Sequence, residues 1–311
     1  MEKKEITVYP TGTVANMVCG FDVLGFALNE PADKMVMRLI EERTVRIIHH
    51  DEYNLPTEAT KNVAGVALLD MLADMPGEDI GFEVEITKII KPGSGIGSSA
   101  ASAAGAVWGA NMLLDERFSK AQLIQYAMAG EELASGSRHA DNIAPCIYGG
   151  VTLVRSHDPL DIICLDAPEL YVTVLHPQIE VKTSDAREIL KKQLLLKDAI
   201  HQWGNIAGLV AGLLQKDYDL ISRSLEDVIV EPVRSILIPM FDELKRASKE
   251  AGALGGGISG SGPSVFMLSA DLRTAQIVSE AMNRVYMHSG IEFHTYVTTL
   301  NRQGIKTAWM E

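Results

Sequence analysis

The sequence predicts an α+β protein built from two domains. Its 311 residues can bury a large core, and alternating apolar and polar residues predict strands in both halves of the chain. In the second half, the predicted order of strands, helices, two strands, a helix and a strand fits a sandwich. Helices would cover one face of a mainly antiparallel sheet.

The first predicted domain, residues 1–157, begins with strands and adds helices after them. Residues 82–90 alternate apolar and polar side chains, which is typical of a strand with one buried face. The other strands are predicted at 6–10, 14–28, 34–40, 44–49 and 149–154, and the helices at 60–73, 98–114 and 121–133.

The second predicted domain, residues 158–311, follows a polar segment, 157–161, that contains a proline and marks the domain boundary. Its strands are predicted at 162–165, 171–176, 253–259, 264–269 and 292–298, and its helices at 184–190, 198–214, 218–224, 233–251 and 272–288.

The composition indicates an ordinary globular protein. Hydrophobic residues make up 47% and charged residues 22%, which excludes disorder, and no apolar run is long enough to span a membrane. The first residues lack a signal-peptide core, so we expect a cytoplasmic location. The three cysteines are widely spaced, which predicts reduced thiols and no metal site. The net charge of −13 argues against nucleic acid and membrane as partners.

Segment 91–104 joins a glycine-rich turn, with Gly93, Gly95 and Gly97, to a helix of small residues that starts near Ser98. Glycines let the backbone present its N–H groups to a ligand, and the first N–H groups of a helix lack internal partners. The segment therefore predicts a phosphate site that relies on backbone N–H groups, Mg²⁺ and a few local cations. A plain capped helix is the alternative interpretation.

Two common nucleotide motifs are excluded. Segment 91–104 is not a Walker A motif, because serine and not lysine follows Gly97. Residues 255–260 match GxGxxG, but a predicted strand follows where a dinucleotide site requires a helix. This second glycine cluster, 255–262, is predicted either to approach a ligand or another loop closely, or to form a long hairpin turn.

Polar residues elsewhere suggest further parts of a site. Asp22, which lies with Asn16 among apolar residues, either receives a ligand ammonium or hydroxyl or caps a turn. Segment 137–145 concentrates polar side chains. This pattern predicts either part of a site or a helix start with a solvated histidine. Arg187 and Arg234 either bind a carboxylate or solvate the surface.

Segments 16–25, 93–100 and 258–264 together resemble the three signature motifs of the GHMP small-molecule kinases. Within that superfamily, segments 20–25 and 139–145 are similar to the branch that phosphorylates L-homoserine in threonine biosynthesis. The resemblance implies an N-terminal domain similar to the second domain of ribosomal protein S5 and a ferredoxin-like C-terminal domain. The active site would lie between them.

The resemblance also implies where ATP and Mg²⁺ bind. Ser99, or Ser98, and Glu131 would hold Mg²⁺ between the β- and γ-phosphates. The residues implied for ATP are Asn62, near the adenine, and Lys91, Pro92, Gly93, Ser94, Gly95, Ile96, Gly97, Ser98, Ser99, Ala100, Ala101, Ser102 and Gly260.

For the amino acid, the resemblance implies that Arg187 and Arg234 pair with the carboxylate and that Asp22 receives the ammonium. Asn16, His139, Asn142 and Thr183 would complete the substrate pocket.

Catalytic roles are implied for His139, Asp141 and Asn142. Other branches carry an aspartate where this chain has Asn142, so we expect direct attack of the hydroxyl on the γ-phosphate without a dedicated base. Asp141 is the alternative base, or else a structural carboxylate.

The chain departs from the family pattern at residues 17–19, Met-Val-Cys, where the family has a small tripeptide, so this turn should depend less on glycine. Kinases of mevalonate, of a sugar or of a diphosphocytidyl alcohol are alternatives, disfavoured because their substrates lack an ammonium group. A catalytically silent binding module is disfavoured because Ser99 and Glu131 are retained. The sequence leaves homodimerisation open.

Overall fold

The computed structural model describes residues 5–309. The strands are β1 (Glu5–Tyr9), β2 (Thr11–Ala15), β3 (Leu24–Ala32), β4 (Lys34–Ile40), β5 (Val45–His49), β6 (Gly81–Thr87), β7 (Val151–His157), β8 (Leu160–Leu165), β9 (Tyr171–Pro177), β10 (Gly255–Ile258), β11 (Val265–Ser269), β12 (Phe293–Thr299) and β13 (Lys306–Trp309).

The helices lie between groups of these strands. They are α1 (Val63–Ala73), α2 (Ser98–Leu113), α3 (Lys120–Ser135), α4 (Ile143–Tyr148), α5 (Thr183–Glu188), α6 (Leu196–Gln215), α7 (Tyr218–Ser224), α8 (Glu231–Arg234), α9 (Phe241–Glu250) and α10 (Leu272–Tyr286), with 3-10 turns at Ala59–Lys61, Ser235–Leu237 and Met287–Ser289. Within residues 5–309, no helix combines the length and the apolar character needed to cross a membrane.

The first sheet has the strand order β13, β1, β4, β6, β5 and is antiparallel except for the pair β5 and β6. Its alternating apolar residues, such as Met37 and Val84, pack against α1, α2 and α3 in one core. Almost all of α2 is buried, and its alanines and glycines let its backbone lie close to the sheet.

The second sheet, β2-β3-β7-β8, and the third, β10-β11-β9-β12, are both antiparallel. They meet in a second core, where the rings of Phe26 and Phe266 are 5.6 Å apart, and residues of α6 and α7 join it. Residues of α9 and α10 pack against the third sheet in a separate core. This packing places the β2–β3 turn beside the β10–β11 loop.

The predicted α+β class and most predicted elements are confirmed, but some are corrected. The single strand at 14–28 is wrong, because a turn with four non-glycine residues at positive φ separates β2 from β3. The single helix at 233–251 is also wrong, because a 3-10 turn and the positive φ of Met240 interrupt it. Helix α4 begins at Ile143, inside segment 137–145, for which a helix start was one of the two interpretations. Strand β13 was not predicted, and it is too short to show a clear periodicity.

The predicted boundary segment 157–161 lies at the turn of the β7–β8 hairpin, so it is not an extended linker. Strand β8 extends the second sheet, and β13 returns from the end of the chain to pair with β1. The division of the chain into residues 1–157 and 158–311 stays a prediction.

Candidate active site

A cavity of about 480 Å³ lies between the two glycine-rich loops, the β2–β3 turn, the end of α3 and α5. Its lining contains many of the residues predicted for the site, drawn from both halves of the chain. These are Asn16, Asp22, Pro92, Gly93, Gly95, Gly97, Ser98, Ser99, Ser102, Glu131, His139, Asp141, Asn142, Thr183, Arg187, Arg234 and Gly260.

The glycine loop, residues 91–97, connects β6 to the first residue of α2. Gly95 and Gly97 both have positive φ, at 82° and 71°. A Cβ atom at Gly95 would overlap the Gly262 carbonyl group, and one at Gly97 would overlap the Thr13 hydroxyl. No side chain caps the N-terminus of α2, so its first N–H groups are free to bind an anion.

The β10–β11 loop, residues 259–264, holds the glycine loop in place. The Ser259 hydroxyl donates a hydrogen bond to the Gly95 carbonyl at 2.7 Å, and the Ser264 hydroxyl donates one to the Ser94 carbonyl at 2.6 Å. The second glycine cluster therefore approaches another loop, as predicted, and it also forms the predicted alternative, a hairpin turn between the antiparallel strands β10 and β11.

A buried ion pair lies below the glycine loop. Lys88 Nζ contacts the Asp33 carboxylate and donates to the Ser98 carbonyl and the Ser102 hydroxyl, both at 3.0 Å. The other Asp33 oxygen accepts hydrogen bonds from the two backbone N–H groups that follow Lys88. Since Lys88 and Asp33 are almost completely buried, they fix both ends of the loop.

Ser99 and Glu131 form a pair beside the first turn of α2. The Ser99 hydroxyl donates to Glu131 Oε2 at 2.8 Å, and burial raises the pKa of Glu131 to about 7. A buried carboxylate that lacks a neighbouring cation fits a divalent metal ion. The Ser98 hydroxyl instead donates to the Ile90 carbonyl at 2.8 Å. Of the two serines, Ser99 is therefore the one that faces Glu131.

At the other end of the cavity, Asp22, Arg187, Arg234 and Phe21 form the charged cluster. Arg187 Nη2 donates to both carboxylate oxygens of Asp22, at 2.8 and 2.9 Å. The guanidinium carbons of Arg187 and Arg234 lie 5.3 and 5.0 Å from the centre of the Phe21 ring. Arg234 donates to two backbone carbonyls, and burial lowers its pKa to about 10, so it stays charged at neutral pH.

Two asparagine side chains have defined orientations. Asn16 Nδ2 donates to the Gly260 carbonyl at 2.8 Å, while its Oδ1 accepts from the Asp22 N–H at 3.1 Å. The Thr13 hydroxyl donates to Asn142 Oδ1 at 2.7 Å. Asn142 therefore has its amino group left for a ligand, and an amide does not accept a proton at neutral pH.

His139 and Asp141 have shifted pKa values. Burial is the main cause that lowers the pKa of His139, whose Nδ1 lies 3.9 Å from Asp22 Oδ1. Burial, followed by the charges of Asp22 and Glu131, raises the pKa of Asp141 to about 7. Asp141 is therefore only partly ionised in the free protein at neutral pH.

The β2–β3 turn, which positions Asn16 and Asp22, adopts left-handed backbone conformations without glycine. Asn16, Met17, Val18 and Asp22 have φ between 40° and 71°. Such conformations cost about 1 kcal/mol or more each, and buried packing of Met17 and Val18 holds them. The expectation of a turn that depends less on glycine is confirmed.

Six residues predicted for ATP do not line the cavity: Asn62, Lys91, Ser94, Ile96, Ala100 and Ala101. The Asn62 side chain caps α1 and donates to His49 Nε2 and the Pro56 carbonyl, so all its hydrogen-bonding positions are occupied. Lys91 Nζ donates to Gln178 Oε1 at 2.8 Å. Roles of these six residues in nucleotide binding stay predictions.

Several cavity-lining residues were not predicted from the sequence. Phe21 and Lys182 directly precede Asp22 and Thr183, so their position next to predicted site residues was a signal in the sequence. Lys88 had no such signal, because only the fold brings it to the cavity. The full set is Ala15, Phe21, Leu55, Val63, Lys88, Ala134, Glu180, Val181, Lys182, Ser184 and Ser261.

Comparisons with known proteins identify similar chains. Residues 60–150 match the model of the GHMP kinases N terminal domain, and residues 209–287 match the model described as GHMP kinases C terminal. Homoserine kinases from Chloroherpeton thalassium and Chlorobaculum tepidum are 45% and 43% identical, over 97% of this chain and 98% of each relative.

Solved structures extend this similarity to the fold. The crystal structure of homoserine kinase from Cytophaga hutchinsonii has a TM-score of 0.94 and 50% identity, covering 99% of this chain and 98% of that chain. L. major mevalonate kinase, solved with R-mevalonate, has a TM-score of 0.68 at 14% identity, covering 97% of this chain and 95% of that chain, and shares the fold alone. The predicted fold class is confirmed by these matches.

Proposed function

This chain belongs to the GHMP kinase family, and on that premise we propose that it transfers the γ-phosphoryl group of ATP to the hydroxyl of L-homoserine. The products are ADP and O-phospho-L-homoserine, and threonine biosynthesis remains the predicted context. One observation carries the proposal. A single cavity contains both an uncapped helix N-terminus and a charge cluster that matches an amino-acid zwitterion.

The α2 end of the cavity suits a triphosphate. Backbone N–H groups of the glycine loop and α2 attract phosphate oxygens without adding basic side chains. Within residues 5–309, no three His, Cys, Asp or Glu side chains form a metal site. Ser99 and Glu131 alone suit Mg²⁺, which usually takes one or two carboxylates together with phosphate oxygens and water. Bound Mg²⁺ would neutralise charge on the transferred phosphate.

The charged cluster suits a free amino acid. Asp22 would accept the substrate ammonium, while Arg187 and Arg234 would bind its carboxylate. In the free protein Asp22 and Arg187 pair with each other. A zwitterion replaces both halves of that pair at once, so substrate entry leaves no unpaired buried charge. A substrate that lacks either charged group leaves one of these residues unpaired.

In the reaction, the substrate hydroxyl oxygen forms a bond to the γ-phosphorus while the bond from phosphorus to the β–γ bridging oxygen breaks. The electron pair of that bond leaves with ADP, and the hydroxyl proton passes to a phosphoryl oxygen and then to water. The amino group of Asn142 donates a hydrogen bond that orients the reactants. Alignment and charge neutralisation then supply most of the rate enhancement.

A substrate panel tests the proposal through ADP release and detection of the phosphorylated product. L-homoserine should be compared with 4-hydroxybutanoate, which lacks the ammonium, with 3-aminopropan-1-ol, which lacks the carboxylate, and with mevalonate. We expect efficient phosphorylation of L-homoserine alone. ADP release that does not respond to L-homoserine, or preference for mevalonate, would contradict the proposal.

The role of Asp141 is tested by Asp141→Asn. If no dedicated base operates, kcat should fall by less than about tenfold, and its pH profile should keep its shape. A loss of 10²-fold or more, typical of a missing general base, would instead identify Asp141 as the proton acceptor. Its raised pKa makes this comparison informative near pH 7.

A further inference from the structure

The cationic side chains that line the cavity differ in the hydrogen bonds and ion pairs that they form within the protein. Lys88 is paired with Asp33, and Arg187 is paired with Asp22. Arg234 donates to two backbone carbonyls. Lys182 also lines the cavity and is exposed. Within the part of the chain that the structure describes, no hydrogen bond or ion pair engages its ammonium group.

Lys182 lies on the wall between the two ends of the cavity. Two residues before it, Glu180 faces the glycine loop, because a Cβ atom on Gly93 would lie 3.7 Å from its Cγ. The hydroxyl of Thr183, the residue after Lys182, lies 3.2 Å from the hydroxyl of Ser261. Arg187 follows on α5 at the amino-acid end. This wall therefore borders the place where a phosphoryl group and an acceptor hydroxyl must meet.

The charge balance of the cavity calls for a cation at this place. Of the carboxylates that line it, Glu180 has no cationic partner within 4.0 Å among the described residues, and the raised pKa values of Glu131 and Asp141 leave these two only partly ionised at neutral pH. The chain as a whole carries a net charge of −13. A triphosphate that enters this environment meets backbone N–H groups and a metal ion at the glycine loop, but few side-chain cations.

We propose that the Lys182 ammonium group contacts the oxygens of the phosphoryl group during its transfer and stabilises their charge. The inference rests on the proposed kinase function. Lysine suits the role because its long side chain and three donors can follow a group that moves between two oxygens. A fixed and fully bonded cation such as Lys88 cannot follow the group.

The test compares Lys182→Met with Lys191→Met, which removes the same charge from the exposed segment after α5. Lys191 does not line the cavity. We expect Lys182→Met to lower kcat by at least about tenfold, somewhat less than the loss of a rigid oxyanion donor. The KM for homoserine and the Kd for ADP should change by less than about threefold, because the contact forms with the transferred group. Lys191→Met should behave as wild type.

A transition-state mimic separates this role from a structural one. Binding of ADP with aluminium fluoride and homoserine should weaken in Lys182→Met by the same factor as kcat, and Lys182→Arg should recover part of both. Equal kinetics for Lys182→Met and Lys191→Met would overturn the inference. A higher KM with unchanged kcat would overturn it as well. If the wild-type enzyme prefers another alcohol, the proposed function fails, and the same comparison on that alcohol still decides the role of Lys182.

Discussion

The two ends of the cavity are built in different ways. At the proposed phosphate end, the expected ligand groups are backbone N–H donors that lie within a few residues of one another, between Gly93 and Ala100. At the amino-acid end, the ligand groups are charged side chains from distant parts of the chain, and Asp22 and Arg187 are separated by 165 positions. The first end needs an exact backbone path, and the second needs correct packing of several segments.

Because the two ends are built differently, the affinity for the phosphate donor and the choice of the acceptor alcohol depend on different residues in the proposed function. Backbone N–H groups bind any phosphate chain of suitable shape, and they tolerate the negative charge of the protein. In the proposed function, the pairing of Asp22 with Arg187 and the stacking of both arginines on Phe21 would select a ligand with two opposite charges. Changes at one end should therefore affect one substrate more than the other.

The largest effect is expected from Gly95→Ala. Its positive φ and the overlap of a new Cβ with the Gly262 carbonyl would displace the loop, so kcat/KM for ATP should fall on the order of 10³-fold. Gly93→Ala is the matched control, because Gly93 has φ of 73° but only Glu180 nearby, at 3.7 Å. Steady-state kinetics of both variants measure the difference, and equal losses would show that loop packing is unimportant.

Asp22→Ala and Arg234→Leu should act mainly on the amino acid. Each leaves a charged partner or substrate group unpaired, so we expect the KM for homoserine to rise by about 100-fold, with the KM for ATP within about threefold. The exposed Asp185→Ala on α5 serves as the control. Steady-state kinetics with each substrate varied in turn provide the measurement, and comparable increases in both KM values would argue against separate ends.

A pH experiment tests the proposed metal pair. In the metal-free protein the pKa of Glu131 is raised to about 7, so its carboxyl is mainly protonated below pH 7. Because a metal ion binds the ionised form, Mg²⁺ affinity should be about tenfold weaker at pH 6 than at pH 8. The same raised pKa means that stability of the metal-free protein falls as the pH rises from about 4.5 towards 7.

Measuring activation by Mg²⁺ at both pH values, with Glu131→Gln as the control, checks this expectation. The variant should need more Mg²⁺ at pH 8 and should lose most of the difference between the two pH values. Unchanged Mg²⁺ affinity in Glu131→Gln would remove Glu131 from the proposed metal site.

The smallest effect is expected from Thr13→Val, which removes the hydroxyl that orients Asn142. The loss of one hydrogen bond, about 1 kcal/mol, should lower kcat about fivefold. Thr152→Val is a matched control, because the Thr152 hydroxyl is buried without a hydrogen-bond partner among the described residues. It should leave kcat unchanged. A variant Thr13→Val with full activity would show that Asn142 needs no orientation.

Most residues that the sequence predicted for the site line the cavity, but the sequence did not predict the contacts between them. Asp22 and Arg187 were expected to bind opposite ends of a substrate, but nothing in the sequence shows that they pair with each other in its absence. The Asn62 side chain caps α1 and is fully bonded, a set of contacts that the sequence did not show, and its expected place near adenine stays a prediction. The predicted strand at 14–28 included Val18, but tertiary packing holds this residue at positive φ.

The sequence alone determined the glycine loop, because positive φ angles and free N–H groups at a helix start depend on residues within one or two turns of the chain. It also determined the α+β class, through the periodicity of apolar residues. Only the tertiary structure decided which charges are paired and which are free. The Lys88–Asp33 pair, the Asp22–Arg187 pair and the absence of a partner for Lys182 among residues 5–309 depend on which segments are buried together. Burial controls the energy of a charge, and no local pattern encodes it.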